Sequence, residues 1–166
     1  MIDLLVRGGL LVDGTGAPPR AADIAVDDDR VVAVGPEITD EAYTVIDATG
    51  LVVTPGFVDI HTHSDLTLLS SPQAPSALTQ GTTTQIVGNC GLGVAPRTPE
   101  ADLDEIRASA AYLDLDPDVR VDWTTIGGYL DTLRSARPAL NVLTLVPHGP
   151  VRASTIEASD IVAQTG

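Results

Sequence analysis

"TPGFVDIHTHSD", residues 54–65, closes one pattern and opens another. Before it, short apolar runs alternate with tight polar turns; after it, strand-like and helix-like segments alternate. The stretch itself reads as a strand, and in a strand residues two apart share a face, so His61 and His63 lie side by side, with Asp59 on the same side. Two neutral imidazoles so placed can meet one divalent ion at about 2.0–2.1 Å each. The plainer alternative is a pair of hydrogen-bonded histidines at a strand end.

Upstream, residues 2–54 contain six strand-sized runs. "DLLVRGGLLVDGTG" gives two around Gly8-Gly9, a hairpin signal, and "ADIAVDDDRVVAVG" gives two more around Asp27-Asp28-Asp29. "TVIDATGLVVTPG" repeats the pattern around Ala48-Thr49-Gly50. The expectation is an all-β module over 1–54, a small β-sandwich or meander without catalytic groups. Its aspartate turn lacks the spacing and distal glutamate of a calcium loop.

Downstream, "FVDIHTH", "GTTTQIVGNC" and "LNVLTLVPHG" read as buried strands of a parallel sheet. "SDLTLLSSPQAPSALTQ" is irregular to helical, "PEADLDEIRASAAYLDL" has helical spacing, and "WTTIGGYLDTLRSA" forms a helix with Asp122 as N-cap and Pro138 beyond its end. Residues 55–166 thus read as α/β, the first strands and helices of a TIM-like (β/α)8 barrel. A closed barrel needs about 250 residues, so the barrel is expected to be incomplete and the chain a truncated or frameshifted one.

The chain has 166 residues, 43 % apolar and 3 % aromatic, enough for a core built from Val, Leu, Ile and Ala. Its nine basic residues are all Arg, against 23 acidic ones, for a formal charge of −14. Such a surface repels phosphate backbones and anionic membranes, which argues against nucleic-acid or membrane partners. The N-terminus does not read as a signal peptide and no run reaches transmembrane length. A single cysteine forbids an internal disulfide and fits a cytoplasmic location.

That cysteine, Cys90, ends the second barrel strand, where parallel sheets place their sites. Free cysteine is most often a packing residue, but Cys90 stands between Asn89 and Gly91 and beside a cation would deprotonate into a strong ligand. His148, which ends the third strand on the same side, can orient a substrate carbonyl. Arg152 can hold a carboxylate in a bidentate contact. Asp65 reads either as a partner for a histidine or as a helix cap. The sequence contains no lysine. A two-metal site therefore cannot use a carboxylated lysine as its bridge, and Cys90 is the available anion.

Together "TPGFVDIHTH", "HTHSD", "GTTTQIVGNCGLGVAP" and "VPHG" resemble the amidohydrolase superfamily, and within it the N-acyl-D-amino-acid deacylases (D-aminoacylases), over about residues 2–152. The resemblance implies zinc, one or two ions, on His61, His63 and Cys90, with the cysteine in place of the bridging lysine of relatives. It implies hydrolysis of the amide of an N-acyl-D-amino acid. The catalytic aspartate, a general base, is expected beyond residue 166, so the chain itself is expected to be inactive. A cyclic amidohydrolase acting on hydantoins or dihydropyrimidines is the enzymatic alternative, and a non-catalytic metal-binding fragment the other. Uncovered barrel edges are expected to favour self-association.

Overall fold

A computed structural model of the chain describes residues 1–98 and 119–155. The helix expected over 99–115 lies outside the described residues, as does most of the C-terminal "STIEASDIVAQTG". The chain divides into two compact units, Met1–Pro55 and Gly56–Gly166.

The first unit is one mixed five-stranded sheet. Its strands are β1 (Ile2–Leu11), β2 (Arg20–Asp27), β3 (Arg30–Gly35), β4 (Ala42–Asp47) and β5 (Val52–Val53). They run in the order β3-β2-β1-β4, with β5 also on β1. The β2–β3 pair is antiparallel and turns at Asp28, in the left-handed region at φ 51°, as expected of an aspartate-rich turn. Two other expectations need correction. Gly8-Gly9 makes no hairpin: β1 runs straight through it. The β4 and β5 runs do not pair with each other; both lie parallel to β1, one after the other along its edge. Among the described residues there is one sheet here, not the two facing layers of a sandwich.

A bulge explains the missing hairpin. The register of β1 on β2 shifts between Val6 and Gly9, so Arg7 and Gly8 together face Asp23. Gly8 takes φ +73°, which favours glycine. Its amide leaves the ladder and donates to Asp23 Oδ1 at 2.8 Å, while Oδ2 accepts from the Ile38 amide at 3.1 Å. The buried carboxylate thus ties the bulge to the segment after β3, whose Ile38 packs with Leu5 and Ala25 in the unit's core.

Among the described residues of the second unit, three parallel strands, β6 (Phe57–Asp59), β7 (Thr82–Val87) and β8 (Asn141–Thr144), lie in sequence order. Between β6 and β7 come two single-turn helices, α1 (Thr67–Ser70) and α2 (Pro75–Leu78). Helix α3 (Ile126–Ala136) precedes β8 and α4 (His148–Thr155) follows it. Thr125, not Asp122, caps α3, its hydroxyl accepting from the Gly128 amide at 3.0 Å. Arg137 closes the helix in the left-handed region, just before Pro138. One face of the sheet and helices α1, α2 and α3 enclose the larger core. Val87, Leu66, Leu68, Trp123, Tyr129, Leu133 and Leu140 are buried there, and Val142 is half-buried against them. All three strands are shorter than their apolar runs. His61, Cys90 and His148 therefore stand on the segments that leave the strands.

Amide hydrogen bonds hold the Asp23 carboxyl below its ordinary value of 3.8, the Gly8 amide contributing most. A carboxylate depressed in the folded state adds stability that is complete above the unfolded value and lost as pH falls through the folded one. Asp23→Ala, which strands two amides, should lower stability by about 1–3 kcal/mol at neutral pH. Urea unfolding of parent and variant should show that difference shrinking below pH 3.8.

Candidate metal centre

Parallel pairing sets the site. With Val58 beside Thr84 and Asp59 beside Gln85, β6 and β7 end at the same edge, and the chain leaves both in the same direction. After β6 it bends through Ile60–His63, with the Asp59 carboxylate accepting from the His61 amide at 3.2 Å. After β7 it turns at Gly88, φ +79°, into a 3-10 turn over Asn89–Gly91. A side chain on Gly88 would meet the Leu145 carbonyl oxygen at 2.8 Å, so both the dihedral and the space there demand glycine. Cys90 itself sits at φ 57°, left-handed and without glycine's freedom. Strain at a residue that carries chemistry is where a functional role is sought.

The outcome is a cluster. His61, His63 and Cys90 each offer one donor atom, and the three atoms lie within 4.8 Å of one another. His61 Nε2 is 3.1 Å from Cys90 Sγ, and the two imidazole rings meet edge to face with centroids 5.6 Å apart. His61 and Cys90 are exposed and His63 is half-buried, so a solvated ion has access. The widest donor separation exceeds the 4 Å expected of ligands around a single zinc. Two imidazoles and a thiol are the donor set of a borderline-soft divalent ion, with zinc as the fitting one. Among the described residues no further His, Cys, Asp or Glu joins these three.

The other candidates lie nearby but apart. Asp59 is not in the cluster; it faces β7 beside Gln85 and holds the His61 amide. His148 does not end β8 but opens α4, exposed. Its Cβ is 4.0 Å from where a Gly91 side chain would begin, so α4 starts against the cysteine turn. Arg152 lies four residues on, exposed on the same helical face as His148. Asp65 caps no helix through its side chain; Leu66 occupies the cap of α1. Its carboxylate is buried and accepts from the Gly88 amide at 3.0 Å, and burial pushes its pKa up against the pull of its own and Gly88's amides. Asn89 was not singled out by sequence. It is buried and donates through Nδ2 to the Thr62 and Ile86 carbonyls at 3.2 and 2.7 Å. A polar side chain between a glycine and the candidate ligand was the available signal.

Known proteins give a consistent picture. The model of the amidohydrolase family matches residues 44–165. D-aminoacylase of Alcaligenes xylosoxydans xylosoxydans is 38 % identical over 93 % of this chain and 31 % of its own length, and N-acyl-D-aspartate deacylase from the same organism is 36 % identical over 93 % and 30 %. The chain therefore spans about a third of the length of the curated relatives it matches. Among solved structures, N-acyl-D-glutamate deacylase of Bordetella bronchiseptica, complexed with zinc and a phosphonate inhibitor, superposes with a TM-score of 0.81 at 36 % identity, over 94 % of this chain and 31 % of that one.

Cys90 is the only thiol, so its reactivity reports directly on the cluster. Alkylation by iodoacetamide, followed by mass spectrometry, should slow about tenfold or more when zinc saturates the site, because a metal-held sulfur is no longer a free nucleophile. His61→Ala should abolish that protection. Equal alkylation rates with and without zinc would count against a metal centre here.

Proposed function

The chain belongs to the amidohydrolase family, and on that premise we propose that it is part of a zinc-dependent hydrolase of amide bonds in N-acyl-D-amino acids. The observation that carries the reading is the convergence of two imidazoles and one thiol at the common end of two parallel strands. Support comes from relatives named D-aminoacylase and N-acyl-D-aspartate deacylase and from the zinc complex of a deacylase at TM-score 0.81. The three parallel strands with their helices correspond, in this reading, to the opening of a (β/α)8 barrel over 55–166. The sheet of 1–54 accompanies it, in this reading, as an all-β module without catalytic groups.

His61, His63 and Cys90 would hold the metal, one ion or two, with the cysteine thiolate as the anionic donor among them. When bound, zinc supplies Lewis-acid polarisation of the scissile carbonyl and acidifies water. Asp59 fixes the His61 backbone and so aims its ring. His148, at the start of α4 beside the cysteine turn, is placed to orient the substrate's acyl carbonyl. Arg152, one turn further on, is placed to pair with the amino acid's carboxylate. Among the described residues no aspartate joins the cluster. The reading gives the general base, which takes a proton from water and returns it to the leaving nitrogen, to an aspartate outside the described residues. These 166 residues alone should not turn over substrate.

Phe57, Val58 and Ile60 on and after β6, and Leu143, Leu145 and Val146 on and after β8, are exposed. Self-association through these strands is part of the proposal. So are a small-molecule substrate as the functional partner and a cytoplasmic, reducing location that keeps Cys90 a thiol. No helix among the described residues is long and apolar enough to cross a membrane.

A chimera tests the reading: residues 1–155 of this chain replacing the matching segment of a D-aminoacylase. The zinc-loaded chimera should hydrolyse N-acetyl-D-amino acids and spare the L-enantiomers. His61→Ala or Cys90→Ala should lower kcat/KM more than about 100-fold, since outer partners of a metal site already cost 10–100-fold. A chimera that opens hydantoins and ignores N-acetyl-D-amino acids would favour the cyclic amidohydrolase instead.

A further inference from the structure

The two segments that carry the metal donors are bound to each other by more than strand pairing. The Thr62 amide, between the two histidines, donates to the Ile86 carbonyl at 3.2 Å. Asn89 Nδ2 crosses back to the Thr62 carbonyl at 3.2 Å and also takes the Ile86 carbonyl at 2.7 Å. Two residues past His63, Asp65 Oδ1 accepts from the Gly88 amide at 3.0 Å. Each strap therefore ties the histidine segment to the cysteine turn. Asp65 and Asn89 are both buried, at 6 % and 7 % exposure, so neither bond competes with bulk water.

Asp65 is anchored from behind as well. Its own carbonyl accepts from the Tyr129 hydroxyl at 2.7 Å, and Tyr129, on α3, is 1 % exposed and packs its ring 5.5 Å from that of Trp123. A rigid helix thus fixes the backbone of Asp65, Asp65 fixes Gly88, and Gly88 sets the turn that aims Cys90. Burying an aspartate is unfavourable unless its acceptor is used. The use it has is the Gly88 amide.

We propose that Asp65 and Asn89 form a two-strap latch that presets Cys90 against His61 and His63 before metal arrives, making both of them positioning residues of the metal site. The inference rests on the metal reading above. It adds residues that touch neither metal nor substrate and act only through the separation of the two donor segments. Preset donors lose little freedom on binding, so the latch acts on affinity and leaves the identity of the donors unchanged.

Cobalt(II) titration of the 166-residue chain tests this, because a thiolate-to-cobalt absorption band reports Cys90 at the metal. The parent should develop that band, and His61→Ala and Cys90→Ala should lose it; a parent without the band overturns the metal reading and the latch together. Given the band, Asp65→Ala and Asn89→Ala should each weaken cobalt binding about 10–100-fold while reaching the same band at saturation. Asp65→Asn, which keeps an acceptor for Gly88, should stay within about threefold of the parent. Emission of Trp123, the only tryptophan, checks that each variant keeps its core. Should Asp65→Ala lose the fold, Asn89→Ala decides alone. Parental affinity in a folded Asp65→Ala or Asn89→Ala chain would overturn the latch and leave the metal reading standing.

Discussion

Everything at the candidate site depends on one backbone event, the left-handed turn at Gly88. A parallel strand that continued straight past Val87 would carry residue 90 away from its neighbour strand. At φ +79° the chain instead folds over the end of the sheet, close enough to Leu145 that any side chain at 88 would strike its carbonyl. The same close approach holds β8's exit against the turn, through a Leu145 amide donating to the Val87 carbonyl at 2.9 Å. Position 88 thus couples three consecutive strands at the edge where all the candidate chemistry sits. The turn also loads Cys90 with a left-handed dihedral, whose cost is borne by the hydrogen bonds around it.

The electrostatics of the edge differ from those of the chain. The formal charge is −14, yet Asp59 and Asp65, which flank the two histidines in sequence, each accept from a backbone amide. The donor set left facing solvent is two imidazoles and a thiol. That favours a borderline-soft ion over calcium or magnesium, which need several oxygens.

Much of this arrangement was legible in sequence, and the parts that were not share a cause. His61, His63 and Cys90 were readable because donor spacing and strand-end placement are local properties. The β2–β3 hairpin was readable because an aspartate-rich turn specifies itself. The partners of β4 and β5 were not, since parallel pairing to β1 is decided by contacts between residues some forty apart. Gly8-Gly9 read as a turn because glycine permits positive φ in turns and bulges alike; the long-range bond from Gly8 to Asp23 decides between them. Strand ends were overestimated where apolar runs continue into loops, which placed His148 on a strand when it opens a helix. Asn89 and the acceptor role of Asp65 depend on which amides the fold leaves unpaired, and no local pattern records that.

The central claim is that these three side chains form one metal centre, and X-ray absorption at the zinc edge of the loaded chain tests it most directly. The account predicts a first shell with one sulfur at about 2.3 Å and two imidazole nitrogens at about 2.0–2.1 Å, the rest being light atoms from solvent. A shell of nitrogen and oxygen alone, with no sulfur, would contradict it.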